Sequence, residues 1–126
     1  MTKYWLVAIG GAVGSVLRFW VQNFIGERAG GRFPYGTFVI NISASFLIGL
    51  TVAFLAQREG WSANWVYLIA VGFLGGYSTF STFEYETFRV AMDGEILIAG
   101  LNVVLSVVLG FVGVWLGVIS GRGIGS

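Results

Sequence analysis

The sequence predicts an all-α integral membrane protein with four transmembrane helices, the third of which is broken near mid-membrane. Of its 126 residues 56% are hydrophobic and 10% charged, with a mean hydropathy of +0.84, whereas soluble domains carry about 25% charged residues. Four apolar stretches approach or exceed the roughly 20 residues that a helix needs to cross the hydrocarbon. Residues 72–83 combine three glycines and four Ser or Thr hydroxyls with apolar side chains, a composition that favours an interrupted helix.

The composition also excludes several functions. The chain contains neither cysteine nor histidine, so disulfides, thiol nucleophiles, imidazole bases and most transition-metal sites are absent. The four spans use nearly all of residues 1–126, which we interpret as one membrane domain without a separate soluble activity. The net charge is +1 and no basic run occurs, so nothing indicates a nucleic-acid partner. We therefore expect a protein of the lipid bilayer that is not an enzyme.

The first span covers about residues 4–25. Its apolar stretch is longer than the core of a cleavable signal peptide, so we expect it to be retained. Gly10, Gly11 and Gly14 form a small-residue face on which another helix can pack closely. Arg18 lies deeper than a boundary residue should. Two interpretations stay open: it anchors the span by reaching the interface, or it faces a water-filled vestibule and attracts anions.

The second span, about residues 35–57, follows a turn at 27–34 and begins after Pro34, the only proline of the chain. Polar or small side chains recur every four residues along one face of this helix. They are Thr37, Asn41, Ser45 and Gly49. Such a stripe should face a neighbouring helix or a pore, because the side-chain amide of Asn41 needs hydrogen-bond partners. The alternative to a pore is an ordinary hydrogen bond between helices.

The third span, about residues 63–92, contains the predicted break. A loop at 58–62 precedes it, with Trp61 and Trp65 at the level of an aromatic belt. If the helix resumes after Thr79, Phe80 and Phe83 project from one face. These rings either pack in the core or line a pathway. Carboxylates follow them, and we expect these near the headgroups, solvated or paired with cations; they are Glu84 and Glu86.

The fourth span covers about residues 96–120, after a turn at 93–94. It repeats the four-residue polar stripe of the second span with Asn102, Ser106 and Gly110, and Gly113 and Gly117 continue a small face. Two matched stripes exceed what helix packing usually requires. They therefore favour the polar lining of a pathway through the protein.

The positive charges give the chain no preferred orientation. One side of the membrane would carry Lys3, Arg58 and Arg122, and the other Arg28, Arg32 and Arg89. Because cytoplasmic loops normally hold an excess of Lys and Arg, this balance predicts dual topology. Four helices are too few to enclose a wide polar path, so we expect an antiparallel homodimer with its two-fold axis in the membrane plane.

Three groups of residues together resemble the Fluc (CrcB-type) fluoride channels over essentially the whole chain. They are Gly10 to Gly14 with Arg18, Gly36 and Thr37 with Asn41, and the run from Gly75 to Phe83 that ends in Thr-Phe-Ser-Thr-Phe. The resemblance implies a passive, fluoride-selective channel of the bacterial inner membrane, with two pores in a dual-topology dimer.

The resemblance also implies roles for individual residues. The residues that line the pore or bind the anion would be Phe80, Phe83, Asn41, Ser81, Thr82, Thr37, Ser106 and Asn102. Arg18 and Glu86 would border the vestibule. The backbone carbonyls of Gly75 and Ser78 from both subunits would hold one central structural sodium ion. Ser78 replaces a more usual threonine, which matters little if only its carbonyl is used.

The alternative function is that of a small dual-topology exporter of cations or drugs. That class shares the length, the span number and the charge balance. It couples transport to a carboxylate within the first span, and here no carboxylate lies inside that span.

Overall fold

The chain folds into a bundle of four membrane-length helices, the third of which is interrupted. The computed structural model describes residues 1–58 and 63–125. The elements are α1, Thr2–Ala29; α2, Tyr35–Ala56; α3, Val66–Leu74, continued by one turn at Gly75–Tyr77; α4, Phe80–Met92; and α5, Ile96–Gly125. Four crossings within the described ranges are long and apolar enough to span a membrane. The predicted fold class of four spans with a broken third helix is confirmed.

The break lies at Ser78 and Thr79, whose backbones are extended. Their ψ angles are 159° and 119°. The glycine pair before them stays helical, so the Ser-Thr step forms the break. Thr79 caps α4, because its hydroxyl oxygen accepts from the Thr82 amide at 3.3 Å. Helix α3 before the break is a nine-residue π-helix, which no sequence pattern had indicated. The π-helix is rare in proteins, and where it occurs it often lies at a functional site.

The helices extend beyond the apolar stretches that predicted them. Helix α1 continues past residue 25 to Ala29, and α5 continues past residue 120 to Gly125. Hydropathy marks the edge of the hydrocarbon, whereas a helix ends where its backbone turns. The first turn is made at Gly30, with φ of 62°, and the last at Gly94, with φ of 89°. Residues 59–62 of the predicted loop, with Trp61, lie outside the described part of the chain.

Glycines bring two pairs of helices into backbone contact. A Cβ atom on Gly14 of α1 would overlap the Phe73 carbonyl of α3 and lie 2.9 Å from the Tyr77 nitrogen. In the second pair, a Cβ atom on Gly117 of α5 would lie 2.8 Å from the Leu50 nitrogen of α2. The predicted packing role of these small-residue faces is confirmed. The α2–α5 pair is the most extensive contact of the bundle.

The interior is small and the exterior is apolar. Ile40, Ala44, Leu74 and Tyr77 form a buried cluster where α2 crosses α3. The large hydrophobic side chains mostly point outward, and Phe111 on α5 is 79% exposed. A surface of this kind is stable against lipid chains and not against water.

We predict that Gly14→Ala destabilises the fold by about 1–3 kcal/mol, because the added methyl group must displace the α3 backbone. Thermal unfolding of the purified protein in detergent would measure it as a lower midpoint. Gly26→Ala is the matched control on the same helix: nothing lies within 4 Å of the added Cβ, so stability should stay the same or rise. Equal midpoints for the two variants would contradict the assigned α1–α3 contact.

Candidate functional site

One side chain holds the two extended residues of the break in place. The Asn41 amide donates through Nδ2 to the Thr79 carbonyl at 2.9 Å, and its Oδ1 accepts from the Thr79 amide at 2.9 Å. Asparagine offers a donor and an acceptor in one plane, so it satisfies both backbone polar groups of a residue that has left the helix. We call this pair of hydrogen bonds the Asn41–Thr79 clasp.

The clasp changes which carbonyls keep a partner. In an unbroken helix the Thr79 amide would donate to Gly75 and the Thr82 amide to Ser78. Here the Thr79 amide donates to Asn41 and the Thr82 amide to the Thr79 hydroxyl. The carbonyls of Gly75 and Ser78 therefore lose their helical donors. These are the two carbonyls for which the resemblance implied a sodium ion.

A groove of about 260 Å³, lined by both polar and apolar side chains, runs beside the break. Its walls are one amide, four hydroxyl side chains, two phenylalanines and one valine: Asn41, Ser45, Ser78, Thr79, Ser106, Phe80, Phe83 and Val107. None of these side chains is charged. The two rings lie on one face of α4 with their centroids 5.9 Å apart. Phe80 is 73% exposed, whereas Phe83 is 8% exposed.

A second, smaller cavity adjoins this groove and is bordered by the freed carbonyl residues. It measures about 130 Å³, and Gly75, Leu74 and Ala44 help to line it. Ser45 and Ser78 border both spaces. The residues implied in anion binding and those implied in sodium binding thus meet at the same break.

A chain of hydrogen bonds links α5 to the backbone of α4. Ser106 donates to Asn102 Oδ1 at 3.1 Å, and Asn102 donates to the Thr87 hydroxyl at 2.8 Å. Thr87 in turn donates to the Phe83 carbonyl at 2.7 Å. Of the two polar residues predicted on α5, Ser106 reaches the groove. Asn102 is 1% exposed and lies between the helices, outside the groove lining.

Thr37 and Glu86 lie together, away from the groove. They line a cavity of about 230 Å³ near the α1–α2 turn. Thr37 is 2% exposed and accepts a hydrogen bond from Gln22 at 3.1 Å. Glu86 is half-buried, and its Oε1 is buried without a hydrogen-bond partner among the residues that the structure describes. A neighbouring cavity lined by Glu86, Arg32 and Arg89 opens beside the Arg32–Glu95 ion pair.

The remaining predicted residues lie around the start of α4. Ser81 is exposed on the helix, and Thr82 is half-buried with its amide capped by Thr79. Arg18 is half-buried, and its Nε donates to the Gly76 carbonyl at 3.0 Å. The break therefore contacts both α1 and α2 through polar side chains.

Sequence reasoning assigned no role in the site to Thr79 or Thr87, although both have hydrogen bonds there. Thr79 is the N-cap of α4. Threonine is a preferred N-cap residue, because its hydroxyl accepts from a backbone amide in the first turn, here that of Thr82. Thr87 gave no such signal, because its partners are Phe83 on its own helix and Asn102 on the next. Only the packing of α4 against α5 brings them together.

Comparisons with known proteins agree on one family. Residues 5–118 match the family described as CrcB-like protein, Camphor Resistance (CrcB). A fluoride-specific ion channel FluC of Acidobacterium capsulatum is 48% identical over 120 residues, which cover 95% of this chain and 96% of the relative. The FluC proteins of Solibacter usitatus and Geotalea daltonii are each 44% identical, over 95% and 92% of this chain and 98% and 94% of theirs. The chain thus belongs to the CrcB family of fluoride-specific ion channels, as its sequence motifs indicated.

Proposed function

We propose that the chain is a passive, fluoride-selective channel that lets fluoride leave the cytoplasm down its gradient. The observation that carries the proposal is the Asn41–Thr79 clasp at the wall of an uncharged groove. The relatives are named as fluoride-specific ion channels, and members of the family are channels and not enzymes. Within α1 the only carboxylate is Glu27, close to its C-terminal end, so the carboxylate that a coupled exporter requires in this span is missing.

Neutral groups of the groove would replace the hydration shell of the ion. One N–H of the Asn41 amide binds Thr79, and the second has no partner among the described residues, which leaves it available to an anion. The edges of the Phe80 and Phe83 rings carry partial positive charge. Such ligands bind an anion weakly enough for it to leave again, whereas a buried arginine would hold it.

The groove requires a second copy of the chain to become a pore. On a single chain it is open, and its polar residues would face lipid, where unsatisfied polar groups are costly. The balance of positive charges on the two sides allows either insertion. Two oppositely inserted copies would cover each other's polar faces and create two equivalent pores, one for each groove. The bacterial inner membrane is the compartment that fits export from the cytoplasm.

One sodium ion would be the structural cofactor at the centre of this dimer. The carbonyls of Gly75 and Ser78, freed by the clasp, provide hard oxygen ligands that suit such a cation. If the second copy buries these carbonyls at the dimer centre, they would be costly without a partner. The ion would neutralise their partial negative charge, and its own charge would favour anions in the adjoining grooves.

We predict that Phe80→Ile lowers fluoride efflux by about tenfold or more, the factor that about 1.4 kcal/mol of lost stabilisation produces. Since Phe80 is 73% exposed within one chain, its replacement should leave the fold intact. A fluoride electrode outside proteoliposomes measures the efflux, with chloride efflux recorded in parallel. Phe111→Ile, at a similarly exposed position of α5 that does not line the groove, should conduct like the unmodified protein. Unchanged flux in Phe80→Ile would refute the role of the ring edges.

We predict that both orientations occur in one membrane in about equal numbers. The chain has no cysteine, so a single Thr2→Cys substitution provides a unique thiol. About half of these thiols should react with a membrane-impermeant maleimide in intact spheroplasts, and all of them after lysis. Labelling of either all or none of the thiols before lysis would exclude the antiparallel dimer.

We predict that sodium raises the apparent melting temperature of the purified protein relative to N-methylglucamine. Binding to the folded state alone stabilises it by about 2.7 kcal/mol at 100 times the dissociation constant. Ser78→Ala should retain this response, because the proposed ligand is the carbonyl and not the hydroxyl. A melting temperature that does not depend on the cation would refute the sodium site. The flux assay, and not this measurement, tests the anion path.

A further inference from the structure

Arg18 reaches the break from a different helix. Its Nε donates to the Gly76 carbonyl across 58 positions of sequence, at 3.0 Å. This reach depends on the backbone contact between α1 and α3: a Cβ atom on Gly76 would lie 2.6 Å from the Gly11 carbonyl oxygen. Because the two backbones touch, the guanidinium one turn beyond Gly14 arrives at the C-terminal end of α3.

The Gly76 carbonyl needs a partner for the same reason as its neighbours. In an unbroken helix it would accept from the Phe80 amide, but the extended residues Ser78 and Thr79 prevent this bond. Carbonyls at the C-terminus of a helix carry partial negative charge, which a cation stabilises. Basic side chains cap such ends by hydrogen bonding to the last carbonyls.

We propose that Arg18 is a positioning residue that caps the broken end of α3, so that the Gly76 carbonyl is fixed away from both the anion groove and the cation site. The capping bond sorts the carbonyls of the break. The Leu74 carbonyl accepts from the amide and the hydroxyl of Ser78, and the Gly76 carbonyl accepts from Arg18. The carbonyls of Gly75, Tyr77 and Ser78 keep no donor among the described residues. Of these, the carbonyls of Gly75 and Ser78 are the ones assigned to a cation.

This assignment differs from the two roles that the sequence left open for Arg18. An interfacial anchor would point its guanidinium to the headgroups, and an anion attractor would point it into water. Here Nε is bonded to the backbone within the bundle. The proposal rests on the proposed function, because the carbonyls that Arg18 sorts are those assigned to the structural sodium ion.

Three replacements of Arg18 separate capping from attraction. Arg18→Gln keeps a neutral N–H donor, Arg18→Met keeps only the apolar length, and Arg18→Lys keeps the charge. For a cap, the efflux at saturating fluoride should fall by about tenfold or more in Arg18→Met, with Arg18→Gln and Arg18→Lys retaining more of it. The increase in melting temperature that sodium gives the purified protein should likewise be smallest in Arg18→Met and larger in Arg18→Gln and Arg18→Lys. Arg28→Gln is the control, because Arg28 is exposed and donates to a carbonyl of its own helix.

The possible results distinguish a capping role of Arg18 from an anion-attracting role. If Arg18→Gln and Arg18→Met lose the same fraction of efflux, and high fluoride restores it in both, Arg18 attracts anions and the capping role is overturned. Wild-type efflux in Arg18→Met overturns it too. If Arg18→Met does not yield a folded protein, the comparison of Arg18→Gln with Arg18→Lys decides, since a cap tolerates the neutral donor and an attractor does not. Failure of the unmodified protein to conduct fluoride, or to respond to sodium, would instead refute the proposed function or its cofactor.

Discussion

The arrangement of the whole site depends on the two hydrogen bonds between the Asn41 side-chain amide and the backbone N–H and carbonyl of Thr79. A helix interrupted inside a bilayer leaves donors and acceptors that water cannot reach. One asparagine pairs with both the N–H and the carbonyl of Thr79, and the Thr79 hydroxyl accepts from the Thr82 amide. These three hydrogen bonds satisfy part of the polar backbone that the break exposes. The loss of helical donors at the Gly75 and Ser78 carbonyls follows from these exchanged hydrogen-bond partners.

The glycine contacts determine which polar groups can reach the break. Backbone contact of α1 with α3 brings Arg18 to Gly76, and the tight pairing of α2 with α5 brings Ser106 to the groove opposite Asn41. Larger residues at these crossings would separate the helices by more than a hydrogen bond spans. The small residues thus do more than pack. They fix the distances on which the polar site depends.

Hydropathy and local chemistry predict much of this molecule. The four spans, the start of α2 after Pro34, the turn at Gly94 and the placement of Phe80 and Phe83 on one face all follow from composition or from helical period. The polar stripe that recurs every four residues on α5 was less informative. The helical period predicts which side of the helix a residue occupies but not how deeply it is buried. Ser106 reaches the groove, while Asn102 on the same face is enclosed between α4 and α5. The partner of Arg18 could not be predicted, since local spacing carries no information about a contact with another helix.

The same asparagine builds the break and lines the groove, and this couples two features that could otherwise vary independently. One N–H of its amide holds the Thr79 carbonyl, and the other is available to the groove. A side chain with a donor alone would leave the Thr79 amide unpaired, and one with an acceptor alone would leave the carbonyl unpaired and offer no N–H to an anion. Any replacement that alters the groove donor at this position therefore also alters the backbone that exposes the Gly75 and Ser78 carbonyls. The proposed anion path and the proposed cation site are in this way parts of one structural unit.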